Sequence, residues 1–489
     1  MFDFRPVGYV LGLLTMTLGI TMLIPMGADL VAGNGHWGAF AEAAALTSMT
    51  GLFMTLACAN GVSQGLSIQQ TFFLTTGVWL VLPLFGALPF MLGDAMGPGQ
   101  GARFVDAVFE AMSGMTTTGS TVLTGLDTLP AGLNLWRGLM QWFGGIGIIV
   151  VAMVFLPELR VGGMQIFRSE AFDTMGKILP RAGEIASRIS VIYLALTVLC
   201  GLAYLALGMA PFDALMHALT TISTGGFSNY DASFGAFQGP TEYVAVVFML
   251  LASLPFVRYI QLVAGTAQPI LRDSQIRTYF ATILILTLSF TLYRMTVNGD
   301  DVSDGFREGL FNVTSIISGT GYASTDYEAW GPVVPAAFFF IGLIGGCAGS
   351  TSCSIKVFRY QLLFAAISTQ VRRLYAPHGI FEPRFEGRPV DEEVISSVMA
   401  FFVLFFVTLG ITAVLLGLTG LDVVTSVSGA ATALGNIGPG LGDLIGPSGN
   451  FANLGDNDTA KWILSAAMLI GRLELMAVLV LFTATFWRG

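Results

Sequence analysis

Charged residues are scarce in this chain: only 11% of its 489 residues are Asp, Glu, Lys or Arg. Soluble proteins carry about 25% charged residues, so this shortage excludes most soluble classes. The net charge of −9 also excludes the basic surface that nucleic-acid binding needs. With 54% hydrophobic residues and a mean hydropathy of +0.74, the composition predicts an integral membrane protein whose main partner is the lipid bilayer.

Cysteine and histidine are also few. The four cysteines lie in apolar or small-residue segments and form neither a metal motif nor a disulfide framework. The three histidines are too widely scattered to form a metal site. A membrane-embedded enzyme would need convergent His, Asp or Ser/Lys groups in a cavity. We therefore predict neither an enzyme nor a bound cofactor.

Long apolar runs define the organisation. Two opening spans, residues 7–31 and 38–60, precede a pattern that recurs four times. Each unit has an outer apolar span, a short helix opened by an acid, a Thr/Ser/Gly-rich stretch and a closing span. The sequence predicts an all-α membrane protein with about ten transmembrane helices and four half-helices around one pore. The outer spans are expected at 68–93, 187–209, 276–297 and 391–418, and the closing spans at 132–157, 241–268, 331–369 and 459–487.

These spans divide the chain into five parts. Residues 1–62 hold the two opening helices, and 63–157 form pore unit one. Residues 158–270 hold a cytosolic linker and unit two, 271–370 form unit three with a broken inner helix, and 371–489 hold a cytosolic loop and unit four. Basic residues cluster in the connections between units, so the positive-inside rule predicts that these face the cytoplasm. Acids cluster around the half-helices, which predicts an outer face that concentrates cations.

The four short helices can be aligned on one glycine each. A dozen helical residues span about 18 Å, too short for a hydrocarbon core of about 30 Å, so these helices should end near the membrane midplane. An acid at the start complements the helix dipole, and a glycine allows a positive φ that turns carbonyl oxygens toward an axis. This pattern predicts a carbonyl-lined ion filter; the alternative is ordinary close helix packing. The aligned pairs are Asp106 with Gly119, Asp213 with Gly225, Glu308 with Gly321 and Asp422 with Gly435, separated by 13, 12, 13 and 13 residues.

Several long strings resemble the TrkH branch of the Trk/Ktr/HKT superfamily of potassium-uptake proteins. The resemblance implies a multi-pass protein of the bacterial cytoplasmic membrane, with one four-unit pore per chain. It also implies a homodimer and control by a cytosolic nucleotide-binding regulatory subunit of the TrkA type. The strings are RPVGYVLGLL, TTTGSTVLTGLDTLPAGLNLWRGLMQWFGGIGIIV, GGMQIFRSE, ISTGGFSNYDASFG, GTGYASTDYEAWGP, GGCAGSTS, TALGNIGPG and GRLEL.

The same resemblance assigns the transported ion. In this family a glycine at every filter position goes with potassium selectivity, whereas serine in the first unit marks many sodium-preferring plant relatives. Gly119 therefore favours K⁺ as the transported ion. A sodium or mixed monovalent-cation transporter stays open as the alternative, and so does coupling to protons or sodium. The implied filter residues are Thr117, Thr118, Gly119, Ser223, Thr224, Gly225, Gly319, Thr320, Gly321, Ala433, Leu434 and Gly435.

The closing span of unit three is interrupted by GGCAGSTSCS, residues 345–354. Clustered glycine and serine should unwind a helix, and the resemblance implies an intramembrane loop that gates the pore. The alternative is a kinked packing helix. The family usually has glycines where this chain has Cys353 and Ser354, which bears on the flexibility of the loop. The expected gate residues are Gly345, Gly346, Gly349, Ser350, Thr351, Ser352, Lys356 and Arg472.

Arg472 lies near the middle of the last span, where a charge is costly unless it faces protein or water. The resemblance implies that it points into the pore below the filter and opposes cations. The alternative is a buried structural ion pair. Glu474 cannot be its partner on the same helix face, because residues two apart do not face each other. Glu42 and Glu110 are interpreted as structural acids, with partners that the sequence does not identify.

Overall fold

The computed structural model describes residues 3–61, 66–97, 99–151, 163–164 and 182–488. Within these ranges helices dominate the regular secondary structure, and one two-stranded hairpin is present. In the described part of the chain, six helices are long and apolar enough to cross a membrane, and up to eight spans result if each of two bent helix pairs counts as one. The predicted all-α, multi-pass membrane protein is confirmed. Most of the linker predicted at 158–186, including GGMQIFRSE, lies outside the described residues.

The N-terminal helices form a close-packed pair beside unit one. Helix α1 (Arg5–Thr21) continues into α2 (Leu23–Ala32), and α3 (Trp37–Cys58) packs antiparallel to α1. A Cβ added to Gly12 or Gly51 would overlap the backbone of the facing helix. These glycines therefore let two membrane helices approach at backbone distance, as small residues do in membrane proteins.

Four units follow, each with a short pore helix between longer elements. Unit one has α4 (Ile68–Gly86), α5 (Leu88–Leu92), pore helix α6 (Phe104–Met115) and α7 (Ala131–Val150). Unit two has α8 (Ala182–Ala206), pore helix α9 (Pro211–Ile222), α10 (Pro240–Ala252), α11 (Phe256–Val263) and α12 (Gln268–Arg272). Unit three has α13 (Ser274–Val297), pore helix α14 (Val302–Ser318), α15 (Val334–Gly342) and α16 (Val357–Tyr375). Strands β1 (Arg384–Phe385) and β2 (Arg388–Pro389) pair antiparallel before unit four, which has α17 (Glu392–Leu418), pore helix α18 (Val423–Gly435), α19 (Asp458–Arg472), α20 (Met476–Leu479) and α21 (Ala484–Arg488).

The pore helices differ from the predicted half-helices in one unit. Helices α6, α9 and α18 have 12, 12 and 13 residues, but α14 has 17. Its N-cap is Asp301, whose side chain accepts a hydrogen bond from the Ser303 backbone N–H. Glu308 is therefore inside the helix rather than at its start, and it pairs with Arg294 at 2.7 Å instead of capping.

Two closing spans that were expected to be continuous are sharply bent. In unit two, α10 and α11 meet at 89° around Ser253–Pro255. In unit four, α19 and the short helix after it meet at 105°, where Glu474 and Leu475 both have positive φ. Proline removes a backbone donor at the first bend. The second bend contains neither glycine nor proline, so the sequence pattern carried no signal for it.

A buried carboxylate attaches the N-terminal span to unit one. Asp29 on α2 accepts hydrogen bonds from the Gly132 backbone N–H at 2.7 Å and from the Asn34 side chain at 2.9 Å. Gly132 is in the first turn of α7, where backbone donors lack partners within the helix. Asp29 therefore caps α7 from another helix and complements its dipole.

Replacing Asp29 with alanine should lower the thermal stability of the detergent-solubilised protein. The buried Gly132 N–H loses its acceptor, which costs about 1–3 kcal/mol. The measurement is the midpoint temperature at which the monodisperse fraction is lost in gel filtration after heating. Asn34→Ala is the matched control, because it removes the neighbouring contact and leaves the cap in place. An unchanged midpoint for Asp29→Ala would contradict the capping role.

Candidate ion-conduction site

The segments that follow the four pore helices share one backbone pattern. Each has two positive-φ residues separated by one residue, and glycine always takes the second position. The first position holds Thr117, Thr224, Gly319 and Asn436, with φ between 48° and 74°. The second holds Gly119, Gly226, Gly321 and Gly438, with φ between 75° and 115°. We call these second residues the ring glycines.

The ring glycines interlock from unit to unit. A Cβ on Gly119 would overlap the carbonyl oxygen of Gly225 in unit two. A Cβ on Gly226 would overlap the Thr320 carbonyl oxygen in unit three. A Cβ on Gly321 would overlap the Ile437 carbonyl oxygen of unit four. A Cβ on Gly438 would lie 3.0 Å from the Thr118 carbonyl oxygen of unit one. Each ring glycine therefore faces the carbonyl just before the next unit's ring glycine, and the four segments close a ring in chain order.

In two units the ring glycine differs from the glycine on which the sequence was aligned. Gly119 and Gly321 match the aligned positions, but the ring contains Gly226 rather than Gly225. Gly226 lies 13 residues after Asp213, the spacing found in units one and three. Gly225 and Gly226 are adjacent, so spacing alone distinguishes them by only one residue, and the alignment selected the first.

In unit four the difference is three residues. Helix α18 continues through Gly435, so Ala433, Leu434 and Gly435 are still helical. The ring glycine is Gly438, in a stretch with three nearby glycines. The Gly435 carbonyl instead accepts a hydrogen bond from the Ser354 backbone N–H at 3.0 Å. Contact between an ion and any of these residues stays a prediction.

A buried ion pair supports the ring from behind. Glu110 on pore helix α6 and Arg137 on α7 are both 0% exposed and lie 2.8 Å apart. Glu110 also accepts hydrogen bonds from the Thr121 hydroxyl and from the Val122 backbone N–H, just after the unit-one ring segment. Arg137 donates to the Ser228 carbonyl of unit two at 2.6 Å. The pair thus fixes the outer ends of two ring segments, and Arg137 is the partner of Glu110 that the sequence could not identify.

Other hydrogen bonds join the remaining units. Gln141, one helical turn after Arg137, donates to the Gly225 carbonyl at 2.6 Å and accepts from the Phe227 N–H at 3.1 Å. The Tyr322 hydroxyl of unit three lies 2.5 Å from the Thr220 hydroxyl of unit two. Two hydrogen bonds join unit four to unit one. The Ser120 hydroxyl donates to the Gly438 carbonyl at 2.7 Å, and the Asn436 side-chain amide donates to the Thr118 hydroxyl at 2.9 Å. Arg137 and Gln141 are not among the residues predicted from the sequence, although two polar residues four apart in an apolar span were an available signal.

The mouth of the ring is a cavity of about 80 Å³. Its lining includes Asp231, whose carboxylate accepts from the backbone N–H groups of Gly125 and Leu126 in unit one. Glu328 of unit three similarly accepts from the Gly442 N–H of unit four at 3.0 Å. Burial raises the pKa of Glu328, although the hydrogen bond from the Gly442 N–H lowers it. These acids connect neighbouring units around the mouth.

Ion pairs reduce the free negative charge predicted for this face. Arg103 binds Asp456 and Asp458 at 3.0 Å, and Arg307 binds Asp304 and Glu242 at 2.8 Å. The exposed pairs, those of Arg103, contribute little to stability, but each pair cancels part of the field. Asp300 with Arg294 is a further pair. The face is therefore less strongly acidic than the count of carboxylates suggests.

Below the ring, a non-helical segment interrupts unit three between α15 and α16. We call residues 343–356 the gate loop. Its Thr351 hydroxyl donates to the Ala252 carbonyl at 2.9 Å, and its Cys347 N–H donates to the Ser253 carbonyl at 3.1 Å. Its Gly349 carbonyl accepts from the Phe256 N–H at 2.9 Å. The gate loop therefore satisfies the backbone groups exposed by the bend in unit two, as irregular backbone at membrane depth requires.

The remaining predicted gate residues lie in and beside this loop. The Ser352 hydroxyl accepts from the Gly346 N–H at 2.8 Å, and the Ser350 hydroxyl donates to the Cys347 carbonyl at 2.7 Å. Lys356 donates to the Ser352 carbonyl from the base of the loop. A Cβ on Gly345 would overlap the Cys353 carbonyl, so the two ends of the loop approach closely.

Arg472 lies beneath the ring and is 3% exposed. It donates to the Gly144 carbonyl of α7 at 3.0 Å and to the Thr351 carbonyl of the gate loop, and its guanidinium is packed against the Cys353 sulfur. Glu474 instead pairs with the buried Arg359. Within the described residues, Arg472 therefore has no carboxylate partner, and its role in the pore stays a prediction.

Comparisons with known proteins agree with this architecture. The TrkH family, described as cation transport protein, matches residues 39–488. The chain is 42% identical over 485 residues to the Trk system potassium uptake protein TrkI of Halomonas elongata, covering 99% of this chain and 97% of that one. It is 34% identical over 504 residues to the Trk system potassium uptake protein TrkH of Vibrio parahaemolyticus, covering 100% of both. The crystal structure of that potassium transporter superimposes with a TM-score of 0.91 over 100% of both chains, at 32% identity.

Removing one partner of the Glu110–Arg137 pair should destabilise the protein far more than removing both. Glu110→Gln leaves a buried, unpaired guanidinium, which costs about 3–5 kcal/mol. The double variant Glu110→Gln/Arg137→Met should recover much of that loss. The measurement is a double-mutant cycle of thermal midpoints in detergent, with Arg103→Met as the control for an exposed cation. Additive effects of the two single changes would contradict the coupling.

Proposed function

The chain belongs to the TrkH family of cation transport proteins, and from this premise we propose that it is a membrane subunit for potassium uptake. The family is one of transporters and not of enzymes. The observation that carries the proposal is the closed ring of Gly119, Gly226, Gly321 and Gly438, in which each glycine meets a carbonyl of the next unit. Four carbonyl-bearing segments in one chain provide the oxygen ligands that replace the hydration shell of K⁺.

Helix dipoles support cation passage through this ring. Each pore helix begins on the side of the acids and ends at a ring segment, so its negative end lies beside the ion path. The membrane potential adds about 2.3 kcal/mol per 100 mV for each charge that crosses. Potassium would therefore move inward down its electrochemical gradient without a chemical step by the protein.

The gate in this proposal consists of the gate loop and Arg472. The loop lies below the ring, and the guanidinium places a positive charge where a cation leaves it. A cation approaching from the ring is repelled as long as Arg472 stays there. Opening requires the loop and Arg472 to separate. We assign that movement to a cytosolic nucleotide-binding subunit of the TrkA type, which acts on the predicted cytoplasmic linkers of a homodimer in the bacterial inner membrane.

Comparing K⁺ and Na⁺ flux in liposomes under an imposed potential tests both the ion and the register of the ring. Gly226→Ala should reduce K⁺ flux more than tenfold, because its Cβ would overlap the Thr320 carbonyl at a φ of 75°. Gly225→Ala is the comparison one residue earlier, and its loss should be smaller because its Cβ would meet the Gln141 side chain rather than backbone. Gly119→Ser should lose selectivity for potassium over sodium.

Three outcomes would change the proposal. Equal Na⁺ and K⁺ flux through the unaltered protein would favour the alternative, a sodium or mixed monovalent-cation transporter with the same architecture. A larger loss from Gly225→Ala than from Gly226→Ala would contradict the structural register. If the chain alone moves no ion, flux must appear when the cytosolic subunit is added, or the uptake function fails.

A further inference from the structure

A second cavity, of about 440 Å³, lies between the N-terminal helix α1 and unit one. Residues of α1, α4 and α7 line it, together with Ser190 of α8 and Met115, the last residue of pore helix α6. On α1 the lining extends from Val10 to Thr21. That distance is about 17 Å along the helix, or roughly half of a hydrocarbon core of about 30 Å. The cavity therefore follows α1 over about the thickness of one leaflet.

The cavity has an apolar lining, although four of its residues carry hydroxyl groups. Each hydroxyl donates to a carbonyl of its own helix, so none of these protons is left for a guest molecule. The indole N–H of Trp79 is buried and has no partner within the described ranges, but an ordered water needs two to four polar partners. The lining therefore favours an apolar occupant over water. The hydroxyl bonds join Thr17 to Leu13, Thr21 to Leu18, Thr75 to Thr71 and Ser190 to Ala186, at 2.7–2.9 Å.

The cavity is continuous with the lipid-facing surface of the protein. Leu14 of its lining is 38% exposed, and Val10, Phe143 and Ile146 are partly exposed. Helices α1 and α4 belong to candidate membrane spans, so the molecules that adjoin this opening are lipids. An apolar cavity of about 150 Å³ holds a benzene ring. A volume of 440 Å³ therefore accommodates a hydrocarbon chain of on the order of 15 carbon atoms.

We propose that this cavity binds one acyl chain of a bilayer phospholipid, which enters past Leu14 and packs behind the unit-one ring segment. An empty cavity would forfeit van der Waals contacts along its whole lining, and the bilayer supplies acyl chains at its opening. The inference goes beyond the proposed uptake function and does not depend on which ion is carried. It assigns the chain a place beside the pore, because α7 has the cavity on one face and the Arg472 contact at Gly144 on another.

Met115 connects this site with the ring. It lines the cavity, and its carbonyl lies so close to α7 that a Cβ on Gly144 would overlap it. Helix α6 ends at Met115, two residues before Thr117, the first positive-φ residue of the unit-one ring segment. A chain in the cavity therefore supports the end of the pore helix from which this segment starts.

The test is photolabelling of the full-length chain in nanodiscs by a phosphatidylcholine with a diazirine in its acyl chain, with the labelled residues located by peptide mass spectrometry. Labels should appear on Trp79 and Met115, each of which is only 3% exposed. Thr75→Phe should lower both labels at least fivefold, because its ring fills the cavity. Thr282→Phe is the matched control, since Thr282 also donates to a carbonyl of its own helix but lies on α13, outside the cavity.

Two labelling results would overturn the proposal. One is labelling of Leu80, which is 48% exposed on α4, with none on Trp79 or Met115; a protein segment, such as one from a second copy of the chain, would then fill the cavity. The other is labelling of Trp79 and Met115 that Thr75→Phe leaves unchanged. Leu14→Trp, which narrows the opening, replaces Thr75→Phe if that variant does not fold.

Thermal stability gives a second measurement in the same variants. Adding phospholipid to delipidated protein in detergent should raise the thermal midpoint of the unaltered protein and of Thr282→Phe. The rise should be less than half as large in Thr75→Phe, whose cavity is already filled. An equal rise in all three would contradict the support of the pore helix by the chain. Neither measurement needs ion movement, so protein that binds the lipid but moves no potassium counts against the uptake function alone.

Discussion

Backbone hydrogen bonding without water is the constraint on which this structure depends. The ring segments leave the helical conformation at membrane depth, where unsatisfied backbone groups cost several kcal/mol each. Only glycine at Gly119, Gly226, Gly321 and Gly438 allows both the positive φ and the contact with the next unit's carbonyl. Much of the surrounding structure holds this ring in place: the pore helices deliver the segments, and Arg137 and Gln141 on α7 bind the carbonyls of unit two.

The same constraint links the gate loop to the bend in unit two. Helix α10 ends at Ala252. The Ala252 carbonyl accepts a hydrogen bond from the Thr351 hydroxyl of the loop, and the Ser253 carbonyl accepts one from the Cys347 N–H. If the loop moved alone, these carbonyls and the Phe256 N–H would lose their partners in a water-poor region. Movement of this loop, as the proposed gating requires, would therefore need a new arrangement of the α10–α11 bend or the admission of water. A change at unit three is in this way transmitted to unit two through backbone groups.

The sequence predicted what depends on local patterns and missed what depends on neighbours in space. Apolar run lengths predicted the long helices but not the bends in units two and four, and the acid-to-glycine spacing selected Gly119 and Gly321, which are ring glycines. It failed at Gly226, because a glycine doublet leaves two choices, and at Gly438, because α18 runs on through Gly435. The contacts of Arg472 could not be read from the sequence, since Gly144 and Cys353 lie more than a hundred residues away in other units.

The negative ends of the pore helices explain why a buried arginine is tolerated beneath the ring. Four helices end around this point, and their last carbonyls carry partial negative charge. Arg472 also has the Gly144 and Thr351 carbonyls as acceptors, so its charge is stabilised without a carboxylate. In the proposed function, the potential that attracts a cation into the ring would also keep the guanidinium below it. A cation leaving the ring and Arg472 would then draw on the same negative charge while repelling each other, which would connect occupancy of the ring with the position of the gate.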